Sequence, residues 1–219
     1  SRLSPAALSR FKQEFRAVQG LNHPHIVRLD ALIEHESGWL IAMELVEGCD
    51  LLSYVKQSDN DPTFDEGKLR GAFSQLAQAL SGLHEHGILH RDLKPANVRV
   101  AADGRVVLLD FGFVTGVESD AQSTHLGVSG TAAYMAPEQA AGAQVLTEAA
   151  DWYAFGACLY EALTGSLPFQ GDSPMAVMIA KQSKMPDRPS DRIGAAVPAD
   201  LEGLCMALLA THPSARPSK

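Results

Sequence analysis

Apolar residues at Leu8, Phe11, Phe15 and Val18 recur at steps of three and four, which places one stripe along a helix over residues 5–20. Leu21-Asn22-His23-Pro24 ends it, because a proline disfavours helix in the residue before it. Ile26–Leu32 and Trp39–Leu45 are short apolar runs on either side of Ser37-Gly38 and predict two antiparallel strands. From Asp50 the pattern turns helical. Thr63-x-x-Glu66 has capping-box spacing, and Leu69, Phe73, Leu76, Leu80 and Leu83 carry a stripe to about His86.

That helical pattern is interrupted once. Val98-Arg99-Val100 and Val106-Val107-Leu108-Leu109 flank Asp103-Gly104, which predicts a hairpin whose two central residues both take positive φ. Thr147 is placed to cap a helix running to Thr164, with Gly165 as its stop. This helix is apolar on nearly every side and should be buried. Shorter helices are expected at about 174–184 and 199–210.

With 46% hydrophobic residues in 219, the chain can bury a sizeable core. Its net charge of −8 leaves no basic excess to displace counterions from phosphates, so no nucleic-acid partner is expected. Cys49, Cys158 and Cys205 lack any paired spacing and imply neither a disulfide frame nor a zinc site. A reducing, cytoplasmic setting is the simplest expectation, with anchoring through a missing flank left open. No apolar run approaches the ~18 residues that span a bilayer.

The chemistry is concentrated in His90-Arg91-Asp92-Leu93-Lys94-Pro95-Ala96-Asn97, followed by Asp110-Phe111-Gly112 and Ala136-Pro137-Glu138. In this order and spacing they resemble the catalytic loop, metal-binding triplet and activation-segment end of the serine/threonine protein kinases, in their bacterial branch. The resemblance implies an α+β, protein-kinase-like fold. Residues 1–46 would be a remnant of the small lobe and hinge, with one helix and two strands. Residues 47–219 would be a mostly α-helical large lobe, cut before its last helix.

It also implies roles. Asp92 would orient an acceptor hydroxyl and take its proton, with Lys94 near the γ-phosphate of ATP. Asn97 and Asp110 would hold Mg²⁺ through oxygen ligands, as a hard cation prefers. Glu44 and Val46, within the hinge Met43–Val46, would offer backbone groups to adenine, and Asp50 would reach the ribose. Glu14 would face a strand lysine; the alternative is a solvated i,i+4 pair with Arg10. Thr131 would help to read the acceptor residue of a protein substrate. His90 and Phe111 would stack with Val18 and Leu29. Asp151 would anchor the catalytic loop from the buried helix, and Glu138 would pair with Arg216.

The sequence departs from that family at three points. The thirteen residues before Glu14 contain no glycine, and Lys12 lies on the first helix, so neither a Gly-rich loop nor the strand lysine is present. Arg99 stands where the family places an apolar floor under adenine. His212 replaces a usual aspartate. A kinase fragment, inactive by itself, is therefore one reading and a pseudokinase scaffold another. A small-molecule phosphotransferase is disfavoured by Ala136-Pro137-Glu138. Fused signalling or ATPase modules are expected in a longer protein. The remnant small lobe is expected to leave strand 39–45 as an open edge and Phe11 and Phe15 partly exposed. Ser119, Ser123, Thr124 and Ser129 are possible phosphorylation sites, with Arg91 as the cation that would engage them.

Overall fold

A computed structural model describes residues 5–36, 38–58, 61–110 and 132–217. Helix α1 (Pro5–Gln19) leads into β1 (Leu29–His35) and β2 (Gly38–Met43), which pair antiparallel from Leu29↔Met43 to His35↔Gly38. The predicted stripe on α1 is the face that packs: Phe11, Phe15 and Val18 are all buried. The expected partial exposure of the two phenylalanines does not occur. Lys12 lies over the Trp39 ring, 4.2 Å from its centroid, and so ties the helix to β2.

Ile26 is not part of β1, contrary to the sequence expectation. It forms an isolated parallel bridge to Leu108. Val27 N–H donates to the Leu108 carbonyl at 3.0 Å, and Leu108 N–H donates to the His25 carbonyl at 2.9 Å. The segment after Pro24 thus satisfies its backbone on another sheet, which joins the two regions.

That sheet has the order β3-β6-β7, from β3 (Gly48–Asp50), β6 (Val98–Ala101) and β7 (Val106–Leu108). The β6–β7 turn contains Asp103 and Gly104, as expected, but only Gly104 has positive φ, at 83°. The connection is longer than a two-residue turn. Gly104 N–H donates to the Ala101 carbonyl, and the Asp103 carboxylate accepts from Arg105 N–H at 2.9 Å. The side chain does by hydrogen bonding what a second left-handed residue would do by conformation.

The stretch after Asp50 is less helical than its pattern implies. Helix α2 (Leu51–Val55) is one short turn, followed by a small antiparallel pair, β4 (Lys56–Ser58) and β5 (Asp61–Phe64). Helix α3 (Glu66–Glu85) then starts from Asp65, whose carboxylate accepts from Lys68 N–H at 2.9 Å. The N-cap is therefore Asp65 rather than Thr63. The stripe Leu69, Phe73, Leu76, Leu80 and Leu83 is buried, as the pattern predicts.

Downstream lie α4 (Pro137–Ala140), α5 (Glu148–Thr164), α6 (Pro174–Ser183), α7 (Pro189–Ile193) and α8 (Ala199–Leu208). Helix α5 is the axis of the core, buried at Ala150, Asp151 and almost every residue from Tyr153 to Leu163. Gly165 ends it in the left-handed conformation, φ 67°. Helix α8 crosses it at Gly156, where a Cβ would lie 2.7 Å from that of Leu208. No helix among the described residues is long and apolar enough to cross a membrane.

Candidate active site

The loop from Ile88 to Lys94 has no regular structure, so its backbone polar groups need partners from elsewhere. Asp151, on the first turns of α5, supplies two of them. Its carboxylate accepts from His90 N–H and Arg91 N–H, both at 2.8 Å. A third bond comes from His84 Nε2 at 2.8 Å. Burial of Asp151 opposes its charge, but the His84 bond, the nearby His90 and the two backbone N–H groups outweigh it and hold the carboxyl below its ordinary range. The predicted anchoring geometry of Asp151 is present. His84 was not anticipated, because only the fold brings it to Asp151.

His90 itself is fully buried. Its Nε2 lies 2.9 Å from the Leu109 carbonyl, and its Nδ1 lies 3.3 Å from Asp92 N. One ring nitrogen must donate and the other accept, which assigns the neutral Nε2–H tautomer. Burial lowers its pKa in the same sense. Val18 and Leu29, its expected stacking partners, are buried in the core. Phe111 lies outside the described residues.

Two non-glycine residues among those described have positive φ: Arg91 at 65° and Asp110 at 44°. Such conformations cost energy and persist where the surroundings impose them. Both flank the reactive groups. Lys94 Nζ donates to Asp92 Oδ2 at 2.8 Å, and Asn97 Nδ2 donates to the Asp92 carbonyl at 2.8 Å and to Oδ2 at 3.1 Å. The aspartate side chain is thus held through one oxygen, Oδ2. With its amide nitrogen committed to Asp92, Asn97 has Oδ1 available as a ligand. Leu109 N–H donates to the Asn97 carbonyl at 2.8 Å, so Asp110 follows directly beside it. An amide oxygen and an exposed carboxylate form a hard donor set that fits Mg²⁺.

On the expected nucleotide side, neither the Glu44 carbonyl nor the Val46 N–H has a backbone partner among the described residues. Asp50 is the N-cap of α2, accepting from Ser53 N–H at 3.0 Å and from its hydroxyl at 2.6 Å. Partial burial works against this charge, but the Ser53 bonds prevail and the carboxyl sits below its ordinary pKa. Arg99 pairs with Asp50 across β6 and β3 and donates through Nη2 to the Gly48 carbonyl. Its head is drawn toward the strand that follows the hinge. Glu14 is half-buried on α1, and no described residue forms an ion pair with it; the side chain of Arg10 lies outside the described residues.

Residues after position 131 complete the site; Thr131, Gly112, Ser119, Ser123, Thr124 and Ser129 lie outside the description. Tyr134, Met135 and Gln139 border a small cavity together with Asp92 and Asp151. Gln139 Nε2 donates to the Arg91 carbonyl at 2.8 Å, a tie the sequence did not reveal. The Glu138–Arg216 pair is present and bidentate, at 2.6 and 2.8 Å. Arg216 also donates to the carbonyls of Ala149, Ala210 and Thr211. Tyr134 donates to Glu161, and its pKa is raised first by burial and then by that carboxylate.

The family model described as "Protein kinase domain" matches residues 2–219. The probable serine/threonine-protein kinase PknB of Lactococcus lactis is 38% identical over 173 residues, 79% of this chain and 27% of that protein. The serine/threonine-protein kinase PrkC of Bacillus subtilis is 34% identical over 94% of this chain and 31% of its own length. The serine/threonine-protein kinase pkn2 of Myxococcus xanthus is 38% identical over 95% of this chain and 25% of its own. The chain spans about a quarter to a third of these relatives. With the anchored loop, the Asp92 cluster and this match along its length, the chain belongs to the protein kinase domain family.

Proposed function

We propose that the protein transfers the γ-phosphate of ATP to serine or threonine hydroxyls of protein substrates. The observation that carries this reading is the Asp92 cluster: Lys94 and Asn97 both bond Oδ2 of its carboxylate, on a loop whose backbone Asp151 pins. Phosphoryl transfer needs positioning and neutralisation of charge more than covalent chemistry. Asp92 orients the acceptor hydroxyl and takes its proton, and Lys94 places positive charge beside the transferred group. Asn97 and Asp110 would hold Mg²⁺, which supplies charge neutralisation on the phosphates when bound. Glu44 and Val46 take adenine through the backbone, and Asp50 takes the ribose. For Thr131 and Phe111, outside the described residues, the roles proposed are acceptor reading and a structural place beside His90.

The relatives' greater length supports further modules in a longer protein, of signalling or ATPase type. Three free thiols, two of them buried, fit the reducing cytoplasm, where ATP is also supplied. A scaffold without transfer is the second reading. Its motive is Arg99, which stands where the family places an apolar residue under adenine.

The test is transfer of phosphate from Mg-ATP to dephosphorylated casein by the full-length protein. Asp92→Asn should lower the rate by at least ~100-fold, the scale of a positioned acid–base group. Asp110→Asn should do the same, with the half-saturating Mg²⁺ concentration moved upward. Transfer at the native rate by Asp92→Asn sinks the role of that residue. Tight Mg-ATP binding without any transfer by the native protein decides for the scaffold.

A further inference from the structure

Lys181 is the most deeply buried cation of the described residues, 1% exposed, and the phosphoryl-transfer mechanism above does not use it. It projects from α6 into the segment that precedes Ala136-Pro137-Glu138. Its Nζ donates to the carbonyls of Ala132 at 2.7 Å, Ala133 at 2.6 Å and Met135 at 2.8 Å. An ammonium has three N–H groups and no acceptor, so these three carbonyls match its donors one for one. The ring of Tyr153 on α5 lies 5.5 Å away and offers a π-face to the same charge.

The arrangement answers a need of the loop. Residues 133–135 are turns and a bend that follow a helical Ala132, so carbonyls that turn inward lack partners unless a donor comes to them. A single ammonium gathers three of them and fixes the backbone on both sides of Tyr134. Burial pushes the amine down to about 7. The three carbonyl dipoles act in the opposite sense and favour the charged form. Tyr134 is held separately, through its hydroxyl, by Glu161. The pinned segment is therefore rigid where it borders the cavity that Asp92 shares with Tyr134 and Met135.

We propose that Lys181 is a positioning residue for the acceptor polypeptide: by clamping the carbonyls of Ala132, Ala133 and Met135, it shapes the loop against which a protein substrate lies beside Asp92. It touches neither nucleotide nor reacting atoms. The proposal rests on the phosphoryl-transfer reading, and it separates substrate affinity from chemistry. A cation that served only to stabilise the fold would affect every activity equally.

The experiment compares native full-length protein with Lys181→Met, which keeps the stem length and removes the donors. Steady-state kinetics with casein should give a KM for casein raised about 10-fold. The KM for ATP, and ATP hydrolysis without casein, should stay within about 2-fold of native. Lys181→Gln, whose amide keeps two donors, should fall between the two. Hydrogen exchange should quicken at the amides of 133–135 in Lys181→Met and remain native in 153–163. An unchanged KM for casein overturns the proposal, as does a parallel loss of ATP hydrolysis in both variants. If the native protein transfers nothing to casein, the kinase reading itself fails. The exchange arm remains decisive then, because native exchange at 133–135 in Lys181→Met shows that the clamp does not hold the loop.

Discussion

A neutral imidazole at position 90 serves two backbone partners at once, and protonation would break one of those bonds. Burial lowers the His90 pKa from 6.5. Between that ordinary value and the lowered one, the unfolded chain binds a proton that the native protein refuses. Stability therefore falls as pH drops below about 6.5 and stops falling at the folded pKa. His90→Phe removes this titration. Its melting temperature should drop less than the native one between about pH 7.5 and about pH 5.5. An equal drop in both proteins would exclude His90 as the source. Asp151 has the opposite linkage: its lowered pKa contributes stability that is present above the ordinary carboxylate range and lost as pH falls through the folded value. At the C-terminal end, Arg216→Ala would strand the mostly buried Glu138 carboxylate and three carbonyls. Loss of one partner of such a pair costs about 3–5 kcal/mol, readable as a lower midpoint in urea. At this scale the reactive groups were legible, because their spacing is local. His84, Gln139 and Lys181 were not, since each bonds a group far along the chain: the Asp151 carboxylate for His84 and backbone carbonyls for the other two.

Among the elements, α5 was read from its composition: a helix apolar on all sides has nowhere to lie but the interior. Its crossing with α8 was not legible, because Gly156 reveals its purpose only where Leu208 meets it. Gly156→Ala would place a methyl 2.7 Å from the Leu208 Cβ. Overpacking of this kind costs about 1–3 kcal/mol, against the gain in helix propensity that an alanine normally brings. Thermal unfolding decides the sign, and a stabilised variant would mean that α8 can move aside. The shorter elements were read less well. Asp65 displaced Thr63 as the cap of α3, and Ile26 left β1 for β7. In both cases several local solutions were available, and tertiary hydrogen bonds selected one.

For the whole molecule, the distribution of buried surface sets the order of stability. Helix α5 is buried along most of its length. The β1–β2 pair is a sheet of two strands with Ile33 and Leu40 each about half exposed. A two-stranded sheet gains little stability by itself. Amides of residues 31–42 should thus exchange much faster than those of 153–160, with the intervening opening seen as local rather than global. Equal protection would mean that α1, through Phe11, Phe15 and the Lys12–Trp39 contact, closes this region as firmly as the core. Sequence alone determined the catalytic motifs, the helical stripes and the family resemblance, because these depend on residue type at short, fixed spacing. The tertiary structure decided which backbone groups the buried polar side chains satisfy. It joined Asp151 to a loop 60 residues away and Lys181 to one 46 to 49 residues away. Such pairings follow from the cost of leaving a buried carbonyl, N–H or charge without a partner, and that cost is defined only once the chain has folded around it.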